Sequence, residues 1–70
     1  MSFYHRVEKL RRPGESNREF AARLGILHPA LALWKRQEAQ GVLQKPTPNM
    51  VTRICKATGV DAHWLIWGDE

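Results

Sequence analysis

Apolar residues recur at helical spacing in several short stretches of this 70-residue chain. In the first stretch, Phe3, Val7 and Leu10 fall at i, i+4 and i+7, which places them on one stripe of a helix. The basic residues of the same stretch are predicted to lie on its other faces, and they are Arg6, Lys9 and Arg12. Pro13-Gly14 predicts the end of this helix, because proline lacks a backbone N–H and glycine favours turns.

The second helix has the clearest start signal in the chain. Ser16 and Glu19 have the spacing of a capping box, in which each side chain accepts a hydrogen bond from the other residue's backbone N–H. Glu19 is also placed to pair with Arg23 one turn later. Gly25 predicts the end of the helix, since glycine adopts the left-handed conformation without strain. The residues predicted to be buried here are Phe20, Ala21, Leu24 and Ile26, the last in the turn.

A third helix is predicted after this turn. Pro29 suits its first turn, where a missing N–H costs nothing. Leu31 and Trp34 then share one face, and we expect the helix to end at about Arg36 or Gln37. Residues 38–46 have no usable periodicity and are predicted to form a loop.

Two further helices are predicted mainly from their ends. Thr47 and Pro48 suit the N-cap and first position of a fourth helix that stops at Gly59, and Asp61 caps a short fifth helix that stops at Gly68. The predicted inward residues are Met50, Val51, Ile54, Trp64 and Leu65, with Cys55 as a small buried residue beside them. The pattern therefore predicts an all-α fold of five short helices, without strands, in a single domain over residues 1–70.

Residues 17–36 have the spacing of a helix-turn-helix. Two helices that cross at about 90–120° through a short turn need a small side chain at the crossing and a turn residue that tolerates positive φ. Ala21 and Gly25 meet these two needs, and Leu31 and Trp34 supply apolar anchors on the second helix.

Positive charge is concentrated away from the C-terminal end. The formal net charge is +4, but residues 1–58 contain all 11 Lys and Arg against four Glu, while residues 59–70 contain three acidic residues and no basic one. A basic surface of this kind suits a polyanionic partner such as nucleic acid.

Several classes of protein are disfavoured by what the sequence lacks. Cys55 is the single cysteine, so no intrachain disulfide is possible. We expect no metal, cofactor or enzymatic activity, because the three histidines and Cys55 lack metal-ligand spacing and no nucleophile–base set or paired carboxylates occur. The longest run without a charged residue, Leu24–Trp34, is far short of the ~20 residues that span a bilayer. A cytoplasmic location is expected.

Two separate segments resemble the lambda-repressor-like group of helix-turn-helix proteins, which includes Cro, CI and Xre relatives. The first is EFAARLGI at residues 19–26, followed by Leu31 and by Trp34-Lys35-Arg36. The second is RICKATGVDAHWLIWG at residues 53–68, which is similar to the end of phage CI repressor DNA-binding domains. The resemblance implies a compact five-helix lambda-repressor-like domain, with a helix-turn-helix at about residues 17–36, that acts as a sequence-specific regulator of transcription in a bacteriophage.

The same resemblance implies a recognition helix at about residues 28–37 that lies in the major groove of operator DNA. The positions that match the family's base-reading side are Leu27, His28, Pro29, Ala32 and Leu33. Those that match its backbone contacts are Asn17, Arg18, Lys35, Arg36 and Lys45, with Arg11 and Arg12 further out. Family members usually carry polar side chains in the first set, whereas here only His28 can hydrogen-bond to a base edge. If Pro29 occupies the first helical position, His28 becomes the cap and the helix begins one residue later.

The sequence leaves three alternatives open. Ile66 and Trp67 are candidates for a homodimer contact, although Trp67 could instead extend the core. The apolar surface between Leu27 and Trp34 also permits a different function, in which a helix-turn-helix docks another protein such as a second repressor. The chain fits either a complete Cro-like protein or the N-terminal domain of a longer repressor.

Overall fold

A computed structural model describes residues 2–68, and within them the chain forms five α-helices and no strand. The prediction of an all-helical fold is therefore confirmed. Their bounds are α1 Phe3–Glu8, α2 Asn17–Leu24, α3 His28–Ala39, α4 Pro48–Thr58 and α5 Ala62–Trp67. The helices pack as α1 against α3 and α5, α2 against α3 and α4, and α4 against α5.

The predicted helix starts and stops of α2, α4 and α5 are confirmed. Ser16 Oγ accepts from the Glu19 N–H at 3.1 Å, and Glu19 Oε1 accepts from the Ser16 N–H at 3.0 Å, which completes the capping box. The side chains of Thr47 and Asp61 cap α4 and α5 by accepting from the N–H groups of Met50 and Trp64, without the reciprocal bond. The glycines that follow these three helices are Gly25, Gly59 and Gly68.

Helix α1 is shorter than predicted. It ends at Glu8, well before Pro13, because the backbone tightens into i→i−3 hydrogen bonds from Leu10 to Val7 at 2.9 Å and from Arg11 to Glu8 at 3.1 Å. This tight turn removes the i→i−4 pattern that an α-helix needs, so the proline is not what ends the helix.

Helix α3 is longer than predicted, and it continues to Ala39 instead of ending at Arg36 or Gln37. The predicted loop at residues 38–46 is therefore wrong at its first two positions. Glu38 lies on the α1 side of the helix, where its carboxylate is 3.3 Å from His5 Nδ1. The remaining loop is fastened by buried Gln44, whose Oε1 accepts from the Tyr4 N–H at 3.2 Å.

The helices enclose one hydrophobic core that contains most of the predicted inward residues. Trp34 is buried and meets the ring of Phe3 edge-on, with centroids 5.0 Å apart and an interplanar angle of 90°. The other core residues are Val7, Phe20, Ala21, Leu24, Ile26, Leu31, Val51, Ile54 and Leu65. Leu10, Met50, Cys55 and Trp64 are only partly buried and pack against this core. Partial burial raises the pKa of the Cys55 thiol, and the nearby charge of Asp61 adds to the effect.

Arg6 is buried, although the helical pattern predicted that it would face away from the core. Its Nε donates to the carbonyl of Leu65 at 2.7 Å and its Nη2 donates to the carbonyl of Ile66 at 2.6 Å. These bonds satisfy carbonyls at the end of α5 that have no partner within the helix. Gly68 gives the guanidinium room, since a Cβ there would lie 3.3 Å from Arg6 Nη1. The prediction failed because the partner of Arg6 is about 60 residues away along the chain.

Replacing Arg6 with alanine should destabilise the protein strongly. Two charge-assisted hydrogen bonds are lost and the carbonyls of α5 are left unpaired, so we expect the free energy of unfolding to fall by about 3 kcal/mol. Urea denaturation followed by circular dichroism measures this. Arg12→Ala is the control, because it removes the same charge from an exposed position and should change stability by no more than about 0.5 kcal/mol. Equal losses in the two variants would contradict this role of Arg6.

Candidate nucleic-acid interface

The junction between α2 and α3 is a three-residue connection held firmly in place. Gly25 adopts the left-handed conformation with φ 73°, and the Ile26 N–H donates back to the carbonyl of Ala21 at 3.0 Å. Ile26 and Ala21 are both buried. Arg53 of α4 donates from Nη1 to the carbonyl of Gly25 at 2.9 Å, so α4 also fixes the position of this turn.

Leu27 is the N-cap of α3, so His28 is its first helical residue and Pro29 lies in its first turn. The alternative in which His28 is the cap is therefore wrong. The side chain of Leu27 makes no capping hydrogen bond, whereas each of the other four helices has a side-chain cap.

Helix α3 has a buried face and an exposed face. Leu31 and Trp34 are buried on one side. All five candidate base-edge positions are exposed, and Leu27 and Leu33 keep 75% and 41% of their accessible surface. Pro29, Ala32, Leu33 and Arg36 follow the spacing i, i+3, i+4 and i+7, so they share one face of the helix. The fold thus directs this row of residues away from the core.

Four of the candidate backbone contacts are exposed cations that the fold does not use. Within residues 2–68, no hydrogen bond or ion pair involves the side chains of Arg18, Lys35, Arg36 or Lys45. The segment from residue 20 to residue 37 contains no acidic residue, and Glu38 lies at the α1 side, with Oε1 3.3 Å from His5 Nδ1. These cations are therefore available to a negatively charged partner.

Asn17, the remaining candidate backbone contact, is exposed at the start of α2. Its Oδ1 accepts from Arg11 Nη2 at 2.7 Å, which leaves its amide N–H groups as donors. Phosphate oxygens accept hydrogen bonds, so this orientation of the amide suits a phosphate contact. Arg11 itself is occupied, because its guanidinium also pairs with Glu8 at 2.8 Å.

Arg23 is fully engaged inside the protein and does not contribute to the exposed basic surface. Its Nε and Nη2 donate to the two carboxylate oxygens of Glu15 at 2.8 Å, and Nη2 also donates to the carbonyl of Leu10 at 2.7 Å. The expected pairing with Glu19 is therefore wrong, because Glu15 takes the guanidinium. The hydrogen bonds from Arg23 are the main cause that lowers the pKa of Glu15 to about 2.

The first turns of α4 lie beside the start of α3. Leu27 borders a shallow groove whose opposite wall is formed by α4 and the residue that caps it, through Thr47, Asn49, Met50 and Arg53. Asn49 is exposed there and was not predicted as a site residue. Its polar side chain in the first turn of a helix was the only signal in the sequence, and nothing local indicated that α4 would lie beside the turn between α2 and α3.

A second exposed apolar surface lies at α5. Trp67 keeps 66% of its accessible surface and Ile66 keeps 39%, so the alternative in which Trp67 extends the core is wrong. Ile66 also borders a mainly apolar groove formed with Pro46, Pro48, Val51 and Thr52.

Other kinds of site are not found in the part of the chain that the structure describes. Among residues 2–68, no three His, Cys, Asp or Glu side chains come together as metal ligands. No helix in that range has the length and apolar character needed to cross a bilayer. No family model matches the chain, and the searches of curated proteins and solved structures found no similar protein.

The Glu15–Arg23 pair makes stability depend on pH in the acid range. The pKa of Glu15 is about 2 in the folded protein against a model-peptide value of 4.5, so the pair stabilises the fold fully above pH 4.5 and loses this effect between pH 4.5 and about pH 2. The difference in unfolding free energy between wild type and Glu15→Gln should be largest near neutral pH and should shrink over that interval. Thermal unfolding at a series of pH values measures it.

The Glu15→Gln variant should keep part of the pH dependence seen in the wild type. The pKa values of Glu19 and Glu38 are also lowered, by hydrogen bonds from Ser16 and Ser2 respectively. Arg23→Gln is the matched control, since it removes the partner and should flatten the same part of the curve. Parallel curves for wild type and both variants would contradict the assignment.

Proposed function

We propose that this protein is a DNA-binding regulator of transcription of the lambda-repressor-like helix-turn-helix class. In this proposal α3 is the recognition helix and lies in the major groove of operator DNA, while α2 crosses the sugar–phosphate backbone. The observation that carries the proposal is the exposed face of α3, which is free of acidic residues and carries the cations Lys35 and Arg36, whose side chains have no partner among residues 2–68.

The dimensions and chemistry of this face suit duplex DNA. The major groove is about 12 Å wide, which admits one α-helix with its side chains. Leu31 and Trp34 hold the opposite side of α3 in the core, so the same face is presented in every molecule. His28 supplies a hydrogen-bonding group for a base edge at the start of the helix, and Lys35 and Arg36 supply charge at its other end.

The cations should act mainly on phosphates, so binding should weaken steeply as salt rises. Titrations of duplex DNA at about 50 and about 200 mM salt give the slope of log affinity against log salt concentration. Arg18→Ala, Lys35→Ala and Arg36→Ala should each reduce that slope by about 1, because each removes one phosphate contact. Lys56→Ala is the control, because Lys56 is an exposed cation in the last turn of α4, at the end remote from the groove beside Leu27.

The same titrations separate base reading from phosphate binding. His28→Ala should alter which sequences bind best, whereas Arg18→Ala should weaken all sequences alike. Uniform losses in both variants would mean that His28 does not read bases.

A second candidate function is protein docking through the same helix, for example to another repressor. The exposure of Leu27 and Leu33 favours it, since large apolar side chains are unusual on a face that reads bases through hydrogen bonds. The absence of DNA binding at low salt, with Lys35→Ala and Arg36→Ala both silent, would support docking and overturn the DNA-binding proposal.

The proposal includes a homodimer. A second copy would cover Ile66, Trp67 and the adjoining apolar groove, and two-fold symmetry would place the two recognition helices about 34 Å apart to match successive turns of DNA.

Trp67→Ala should weaken self-association by about thirtyfold, the effect expected for loss of a 2 kcal/mol contact. Sedimentation equilibrium without DNA measures the association constant. Leu33→Ala removes an exposed apolar side chain of α3 and should leave this constant unchanged. A monomer at all concentrations in the wild type, or equal losses in both variants, would contradict this dimer contact.

A further inference from the structure

The guanidinium of Arg11, between α1 and α2, is held on several sides. Its Nε and Nη2 donate to the two carboxylate oxygens of Glu8 at 3.0 and 2.8 Å, and its Nη1 donates to the carbonyl of Glu15 at 3.1 Å. Its flat face lies over the ring of Phe20, with Cζ 4.7 Å from the ring centroid. These contacts fix the guanidinium before any partner binds, and the carboxylate of Glu8 offsets its charge.

One further bond joins Arg11 to Asn17, the first residue of α2. Arg11 Nη2 also donates to Asn17 Oδ1 at 2.7 Å. A guanidinium can only donate hydrogen bonds, so the oxygen of the amide, and not its nitrogen, faces Arg11. Nδ2 then lies on the other side of the amide carbon, and it donates to no atom within residues 2–68. Arg11 therefore determines which end of this exposed amide is offered to a partner.

The groups beside the amide suit an anion. Arg18 follows Asn17 in α2 and is an exposed cation whose side chain has no partner within residues 2–68. The first backbone N–H groups of a helix have no partner inside it, and they favour negative charge. The nearby carboxylate of Glu19 is turned back toward the cap, where Oε1 accepts from the Ser16 N–H at 3.0 Å. The free donors of this helix start are thus complementary to a phosphate group.

We propose that Arg11 is a positioning residue, which holds the Asn17 amide so that Nδ2 donates to a backbone phosphate of duplex DNA. This inference rests on the proposed DNA-binding function and concerns how one phosphate contact is prepared. The donors of Arg11 are directed at Glu8, Glu15 and Asn17, so Arg11 acts on DNA through the amide and not through its own charge. Because the amide is oriented in advance, little side-chain freedom is lost when the phosphate binds.

The first test measures affinity for a mixed-sequence duplex of about 20 base pairs at about 50 mM salt. Asn17→Ala removes the donor and should weaken binding about tenfold, the effect expected for one hydrogen bond to a charged group. Arg11→Lys keeps the charge but loses the planar fork that reaches Glu8, Glu15 and Asn17 together, and it should weaken binding about fivefold. Neither variant should change the salt slope, because neither removes a charge that contacts phosphate.

The two substitutions should not act independently. In the Asn17→Ala background, Arg11→Lys should change affinity by less than about twofold, because the amide that it positions is already absent. Asn17→Asp keeps an oxygen for Arg11 and adds an acidic residue at a helix start, which favours folding. It also presents negative charge to the phosphate, so binding should weaken about a hundredfold in a folded protein.

A second measurement needs no DNA. Nuclear magnetic relaxation of the Asn17 side-chain nitrogen reports the order of the amide in the free protein. The amide should be ordered in the wild type and more mobile in Arg11→Lys. Arg23→Lys is the matched control, because Arg23 also pairs with both carboxylate oxygens of a glutamate and lies 5.4 Å from the centroid of the Phe20 ring, without a bond to Asn17. It should change neither the order of the amide nor the affinity for DNA.

Each outcome separates the inference from the function on which it rests. DNA binding that Asn17→Ala leaves unchanged, or that Asn17→Asp does not weaken, overturns the phosphate contact and leaves the DNA-binding proposal intact. Equal losses from Arg11→Lys with and without Asn17 overturn the positioning role, because Arg11 would then act independently of the amide. The same amide mobility in wild type and Arg11→Lys overturns it as well. No binding to any duplex at low salt overturns both proposals.

Discussion

The packing of Trp34 and Leu31 into the core determines which residues of α3 face outward. Trp34 meets Phe3 of α1 edge-on at 5.0 Å, an arrangement that adds to the burial of two large rings. Because α3 is anchored through these positions, rotation of the helix would expose both side chains to water. The core therefore fixes which side chains point outward. Only one side of this 12-residue helix packs against the core.

The arginines of this small protein divide into those that hold the fold and those that remain available. Arg6, Arg23 and Arg53 each donate to a backbone carbonyl of a distant turn or helix end, and such charged bonds stabilise a chain too short to bury a large core. Within residues 2–68, the side chains of Arg18 and Arg36 make no hydrogen bond or ion pair. Net charge alone therefore overstates how much positive charge is available at the surface. The position of the available charge follows from which arginines are engaged in internal hydrogen bonds.

The sequence predicted features whose cause is local and missed those whose cause is distant. The Ser16 capping box and the glycine ends of α2 and α4 depend on residues within one helical turn, so they could be predicted. The burial of Arg6 depends on α5, and the position of Asn49 depends on how α4 packs beside the turn between α2 and α3, so no short pattern contained them. For the candidate site, the exposure of the α3 positions could be predicted from helical periodicity. That its cations have no partner within residues 2–68 could be seen only from the structure.

The contact between Arg6 and α5 brings the two ends of the described chain together. A Cβ on Gly68 would lie 3.3 Å from a guanidinium nitrogen of Arg6. The side chain of α1 thus reaches the residue that follows α5. Joined by a short linker, such ends permit circular permutation, with new termini opened in the exposed stretch around Gly41 between α3 and α4. A permuted chain would keep all five helices and place any fused domain at the far end of α3 from Leu27.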